Sequence, residues 1–241
     1  MSHPAIPRLI LGSRSPRRVA LLRQLELPFE QLPSPEEELP PGKNGPRAHV
    51  VESASAKARA VHSLAQKRLA QNNVPTIVIG ADTIVYLDGE IMGKPGDPEE
   101  AAQMLHRLAG SSHQVYTGLA LICAEDRELR DWGETRVHMG QLSDADIEAY
   151  VRSGEPLDKA GAYGIQAGGG ALRPCGVMGV LGDERGRQRP GVGGREQPVV
   201  QLSLLNRILP PDPTAGTALV QTGVCLLYTS DAADDTPCVD L

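Results

Sequence analysis

Residues 75–97, PTIVIGADTIVYLDGEIMGKPGD, set two runs rich in β-branched residues, Thr76 to Ile79 and Ile84 to Leu87, on either side of the tetrapeptide GADT. Such runs fit a pleated, buried surface, so both are expected as strands. Asp88-Gly89 is a dipeptide favoured by two-residue hairpin turns, and it leads into Glu90-Ile91-Met92 as the returning strand. Whatever fold this chain adopts must bury these runs and still accommodate the carboxylate of Asp82 at the end of one of them.

Strand-like runs alternate with capped helices along the rest of the chain. RLILG leads into a helix in which Ser15 caps, Pro16 fits the first position, and Val19, Leu22 and Leu25 form one apolar face. A Pro-rich acidic loop, LPSPEEELPPGKNGP, comes next, and residues 47–71 read as one long helix rich in Ala, Lys and Gln. Asp97 and Glu100 form a capping box with Pro98 at the first position, predicting a helix over 98–109 that Gly110 stops. HQVYTGLALICA and ETRVHMG read as further strands, and Ser143 with Asp146 opens a helix that Gly154 closes. This order predicts an α/β fold with a mixed central sheet flanked by helices and some hairpin pairing.

Past residue 173 the texture changes. GVMGVLGDERGRQRPGVGGREQP lacks periodicity and is crowded with Gly, Arg and Pro, so it reads as loop or disorder. The expected division is a domain over 1–173 and an aberrant segment over 174–241, whose end, CLLYTSDAADDTPCVDL, has the look of a translated adapter or vector read-through.

Composition narrows the function classes. The 241 residues are 40% hydrophobic but only 3% aromatic, with one Trp and one Phe, so the core is aliphatic and the aromatic platforms of single-strand nucleic-acid binders are missing. A formal net charge of −6 gives no general pull toward DNA or an anionic membrane. Cys123, Cys175, Cys225 and Cys238 show no C-x-x-C spacing, which argues against a zinc site or a disulfide framework. No run reaches the roughly 18–20 apolar residues needed to span a bilayer, and the N-terminus lacks a signal-peptide pattern. A soluble, cytoplasmic protein is expected.

Against an acidic background, the local cations stand out. In LILGSRSPRRVALL a helix begins with Arg17 and Arg18 at the end where its dipole disfavours positive charge by about 0.3–1 kcal/mol each. A bound phosphate would reverse that sign: Gly12 and Ser13 let the backbone approach an anion closely, the helix start offers N–H donors, and guanidinium forks match phosphate oxygens. Ser13, Ser15 and Arg18 are thus candidate phosphate-binding residues; the alternative is an ordinary strand-turn-helix with solvated arginines. Asp82 is out of place in a purely structural strand, and such carboxylates hold Mg²⁺ or accept a proton from water, unless this one merely caps a turn. Lys57 and Lys94 alone read as surface charges, Thr83 as a β residue, and Glu36, Glu37 and Glu38 as a solvated acidic loop. PLDKAGAYGIQAGGGA combines a carboxylate, a Lys, a Tyr and a Gln with five glycines, and that much Gly permits close approach of backbone to a ligand. There is no G-x-x-x-x-G-K-[ST], and His106, His113 and His138 lack metal-ligand spacing and read as ordinary polar positions.

Taken in order, SRSPRR, EEE, SAKARA, IGADTIV, GKPGDPEEAAQMLHRLAG, HQVYTG and EPLDKAGAYGIQ resemble the Maf family of nucleotide pyrophosphatases, also described as septum-formation inhibitor-like proteins, over residues 8–172. The resemblance implies a sheet related to that of inosine triphosphatases, with a cleft between two lobes. It implies hydrolysis of a nucleoside triphosphate between the α and β phosphates with a divalent metal, Mg or Mn. By match to the family motifs, Asp82 is the proton acceptor, Arg18, Lys57 and Lys94 are phosphate-binding and catalytic cations, and Glu37 or Glu38 is the acidic position tied to metal or catalysis. Arg17, Thr83 and Gln166 fall on positions that select the substrate, in the pattern of the dTTP/UTP branch; an amide such as Gln166 can pair with the O4 and N3–H edge of thymine or uracil. A homodimer is a further family expectation, with no nucleic-acid or membrane partner. After GIQ the sequence departs from the family: AGGGALRPCGVMGVLGDERGRQRPG replaces the usual Gly-Leu-Gly run and closing elements, as a frameshift would, and should leave apolar sheet surface uncovered. Two other readings stay open from sequence: a phosphate- or nucleotide-sensing protein without turnover, and a damaged gene product.

Overall fold

The computed structural model describes residues 7–23, 28–36, 39, 44–69, 75–123, 127–164, 174–183 and 188–190. Its elements run β1 (Arg8–Leu11), α1 (Pro16–Arg23), β2 (Phe29–Gln31), α2 (Gly45–Leu69), β3 (Thr76–Leu87), β4 (Glu90–Met92), α3 (Pro98–Leu108), β5 (Ser112–Ile122), β6 (Glu128–Met139), α4 (Asp144–Arg152), two 3-10 turns at Glu155–Asp158 and Ala160–Ala162, β7 (Pro174–Asp183) and β8 (Gln188–Pro190). The expected mixed α/β architecture is what the strands build. In the sheet order β2-β1-β3-β5-β6-β7-β8, β1 is parallel to β2 and β3, the pairings from β3 to β8 are antiparallel, and β4 forms a hairpin on β3.

Local signals account for most of the ends. Asp88 and Gly89 have φ of 50° and 86°, as a type I′ hairpin turn requires. Asp97 accepts from the N–H of Glu100 at 2.8 Å, and Ser143 and Asp146 form a reciprocal capping box at α4. Gly110 and Gly154 stop their helices at φ of 65° and 75°.

Two expectations need correction. The two apolar runs about GADT are one strand, Thr76–Leu87, and Asp82 lies in its middle, neither at a strand end nor in a turn. The cause is non-local: β5 pairs with β3 without a break from Val78↔Ile122 to Tyr86↔Gln114, supplying a ladder that overrides the low strand preference of Gly80 and Asp82. Backbone pairing also continues past residue 173. β7 aligns with β6 from Met139↔Pro174 to Asp131↔Asp183, where the sequence alone reads loop, because a long partner strand can hold a Gly-rich segment that has no periodicity of its own.

Alternation along β3 divides the core. Val78, facing one side, packs with Ala54, Ala58 and Val61 of α2. Ile77, Ile79 and Ala81, facing the other, pack with Val19 and Leu22 of α1. Further along that second face, Val85 and Leu87 pack with Ala101 and Leu105 of α3 and Ile147 and Tyr150 of α4. One face is therefore covered by α2 and the other by two separate groups, which leaves a gap between α1 and the α3–α4 lobe. Burying each of the larger aliphatic side chains is worth roughly 1.5–3 kcal/mol relative to exposure. Among the described residues, no helix is long and apolar enough to cross a membrane.

Glu128 ties α2 to β6. Its carboxylate accepts from Ser55 Oγ, from Arg59 Nε at 3.1 Å and Nη2 at 2.6 Å, and from Arg130 Nε at 3.0 Å and Nη2 at 2.9 Å. Burial alone would raise its pKa, but the hydrogen bonds from Arg130, Ser55 and Arg59 outweigh it and hold the group down at about 2. A depressed carboxylate contributes stability above its unfolded value and loses it as pH falls toward its folded value. Glu128→Gln should therefore cost about 1–2 kcal/mol at neutral pH, after a discount for the exposed Arg59, and urea unfolding should show that gap closing between about pH 4.5 and about pH 2.

Candidate active site

The site sits where, among the described residues, β3 has one neighbouring strand. β1 ends its pairing at Leu11↔Ile79, and β4 begins its pairing at Val85↔Met92. Between these, β3 is flanked by β5 on one edge and by no strand among the described residues on the other. Arg18 of α1 fills this opening. Its Nη1 donates to the Ala81 carbonyl at 3.0 Å and to Ser13 Oγ at 3.2 Å, and its Nη2 donates to Thr83 Oγ1 at 3.1 Å. An arginine thus satisfies a strand-edge carbonyl that a neighbouring strand would otherwise use. Thr83 Oγ1 in turn lies 3.1 Å from Thr117 Oγ1 on β5, so a buried threonine braces the far side of the cluster.

A cleft of about 850 Å³ opens over this point. Its lining brings five cations, Arg14, Arg17, Arg18, Lys57 and Lys94, against three carboxylates, Glu36, Asp82 and Asp158. Ser13, Ser15, Ser34 and Thr83 add hydroxyls, and Val85, Val115, Leu157 and Tyr163 form an apolar wall. In a chain of net charge −6, a cationic cleft with an apolar end suits an anion that carries a flat apolar group.

Asp82 is placed by the close approach of α2. A Cβ on Gly80 would lie 2.3 Å from the Ala54 carbonyl oxygen and 2.7 Å from the Ala58 N, so only glycine lets the helix lie this near the strand. That approach puts Lys57 Nζ in an ion pair with Asp82 Oδ1, with side-chain exposures of 14% and 10%. Such burial is tolerable for the carboxylate because the ammonium compensates it.

The opposite wall is the segment 155–164. Gly161 and Ala162 both have positive φ, 65° and 61°; for alanine this costs on the order of 1 kcal/mol and needs support from its surroundings. Support comes from Gly161 N–H to the Gly93 carbonyl at 2.9 Å, beside Lys94, and from Ala162 N–H to the Lys159 carbonyl at 3.0 Å. Next in the chain, the Tyr163 hydroxyl hydrogen-bonds His113 Nε2, and the two rings meet edge to face at 5.3 Å. Burial, and secondarily the charge of His138, lowers His113 to about 4, so this imidazole is neutral at physiological pH. For Asp158, burial would raise the pKa, but the hydrogen bond and charge of Lys159 and the charge of Arg17 hold it below the usual carboxylate value.

Of the residues singled out in the sequence, Ser13, Ser15, Arg17, Arg18, Lys57, Asp82, Thr83 and Lys94 all line this one cleft. Glu37, Glu38 and Gln166 lie outside the described residues, although Glu36, next to the first two, is in the lining. The sequence reading missed Arg14, Ser34 and Asp158 as lining residues and Thr117 as a brace. It also took His113 for an ordinary polar position, whereas that side chain is fully buried behind the cleft wall. The available signal was the presence of Asp158 and Tyr163 within the Gly-rich run. No group of three or more His, Cys, Asp or Glu residues among those described forms a metal cage. One buried carboxylate in a cationic cleft does suit Mg²⁺ held jointly with substrate phosphates, since that ion commonly uses one or two carboxylates plus phosphate oxygens.

Residues 8–174 match the family described as Maf-like protein. The chain belongs to this family. Among similar proteins, a dTTP/UTP pyrophosphatase of Symbiobacterium thermophilum is 47% identical over 165 residues, covering 68% of this chain and 80% of that one. One from Salinibacter ruber is 45% identical over 162 residues, covering 66% and 74%, and one from Bacillus cereus is 44% identical over 162 residues, covering 67% and 80%. A solved nucleoside-triphosphatase / dITP/XTP pyrophosphatase from Mycobacterium abscessus, 18% identical and covering 56% of this chain and 74% of that one, superposes with a TM-score of 0.32, too remote a likeness to support any inference. The Maf-like match ends at the first residue of β7, so the cleft of this Maf-like protein lies wholly within the matched stretch.

Proposed function

We propose that this Maf-like protein hydrolyses dTTP and UTP to the nucleoside monophosphate and pyrophosphate, with Mg²⁺ or Mn²⁺. The observation that carries the reading is the convergence of Arg18, Lys57, Lys94 and Asp82, from four separate parts of the chain, on one cleft with an apolar wall. The names of the relatives support the substrate class. In this reading Arg18, the N–H groups at the start of α1 and Lys94 hold the triphosphate, and the base lies toward Val85, Val115 and Tyr163. Asp82 takes the proton of the water that attacks the α phosphorus as the bond to the β phosphate breaks. Asp82, with Glu37 or Glu38 and the phosphate oxygens, would hold the divalent ion, which when bound offsets phosphate charge. Lys57 keeps Asp82 in place and lies close enough to the phosphates to share their charge. Arg17, Thr83 and Gln166 select the base, as the family resemblance implies; the Thr83 hydroxyl also engages Arg18 and Thr117 and so helps to fix the phosphate-binding arginine. A homodimer in the cytoplasm is the form that the resemblance implies.

The phosphate contact of Arg18 is tested by thermal melting. Adding dTTP or inorganic pyrophosphate to the wild-type protein should raise the melting temperature, as any ligand of the native state does. Arg18→Ala should remove most of that rise; an unchanged rise would show that phosphate is held elsewhere.

A further inference from the structure

Gly164, at the edge of the cleft, is a glycine whose backbone does not need to be one. Its φ lies outside the left-handed region, unlike those of Gly154 and Gly161. The constraint is space: a Cβ added there would sit 2.9 Å from Arg17 Nη1 and 3.0 Å from Cδ and Cε of Lys159. Lys159 cannot yield. Its buried ammonium donates to the Glu155 carbonyl at 2.5 Å and to Asp158 Oδ1 at 2.7 Å, which fixes its methylene stem. Arg17 yields more readily, because the contact is with the far end of a flexible side chain, drawn toward Asp158 by charge.

We infer that Gly164 is the seat of the Arg17 guanidinium and, through it, a specificity-determining position at the base end of the cleft. The inference rests on the reading of Arg17 as a substrate-selecting residue. Gly164 touches no reacting atom in this account; it is a positioning residue. The absence of a side chain at Gly164 leaves the space that Arg17 Nη1 occupies, 2.9 Å from where a Cβ would lie. A single methyl group would push the guanidinium away and change the outline that the base meets, while pressing on the Lys159 stem at 3.0 Å.

The test uses the full chain and calorimetric binding of two probes, the non-hydrolysable α,β-imido analogue of dUTP and inorganic pyrophosphate. Gly164→Ala should keep a cooperative melt only slightly below that of the wild type, because a backbone that accepts alanine offsets part of the crowding against the Lys159 stem. It should weaken the dUTP analogue by about tenfold, the scale of one misplaced pocket contact, and leave pyrophosphate binding unchanged. In an Arg17→Ala background the same substitution should weaken the analogue less than about twofold, because coupled positions are not additive. No loss, an equal loss in both backgrounds, or an equal loss for pyrophosphate would overturn the inference, as would failure of the wild type to bind the analogue. Pyrophosphate release from dTTP is measured separately: its absence with the binding pattern intact sinks the proposed reaction and leaves the seat standing.

Discussion

Asp82→Asn should leave a folded protein that still binds dTTP but releases pyrophosphate about 10²–10⁴ times more slowly than wild type, the range that a positioned general base contributes. The substitution keeps the shape of the side chain and removes its capacity to take a proton. It also removes the charged partner of Lys57, whose side chain is only 14% exposed, so some stability is lost with the charge pair. Turnover and melting must therefore be measured on the same preparation. A rate loss with dTTP affinity retained places Asp82 in the chemistry, whereas parallel loss of rate, affinity and cooperative melting would reduce it to a structural partner of Lys57.

Among the described glycines, Gly118→Ala should be the most damaging added methyl group. At this position on β5, opposite Asp82 of β3, a Cβ would lie 2.2 Å from the Val50 carbonyl oxygen, 2.4 Å from its carbon and 2.8 Å from the Val51 N. All three are backbone atoms of α2, which cannot rotate out of the way as a side chain can. The helix must lift from the sheet, with an expected cost of about 3 kcal/mol or more, at or above the top of the usual range for overpacking because backbone and not side chain must move, and a large part of a marginal domain's stability. Because α2 carries Lys57, any folded remainder should also have a disturbed Asp82 and reduced turnover. Gly93→Ala is the matched control: nothing lies within 4 Å of its added Cβ, and its denaturation midpoint should stay close to wild type. Equal effects at the two glycines would refute the close helix–strand contact that places the site.

The features legible in the sequence are those whose cause is local. Asp88-Gly89, the Asp97 and Ser143 caps and the helix-stopping glycines act through their own backbone angles and nearest hydrogen bonds, and each is found where its residues imply. Arg18, Lys57, Asp82 and Lys94, singled out by the ordered motifs, line one cleft, although spacing alone could not show that Lys57 reaches Asp82. What stayed hidden depends on partners distant in the chain. Continuity of β3 through GADT is imposed by β5, and strand β7 by pairing with β6. The burial of His113 follows from the arrival of Tyr163 fifty residues later, a contact that no periodicity announces. Gly164 reads as one of several glycines in a rich run until its distance to Arg17 is known.

Phosphorus NMR of dTTP incubated with the full-length protein and Mg²⁺ tests the central claim most directly, because it identifies the bond that breaks. Wild type should give dTMP and pyrophosphate as the first products, with neither accumulating at a comparable rate from Asp82→Asn. Formation of dTDP and inorganic phosphate, or no turnover by a folded wild-type protein that binds dTTP, would contradict it.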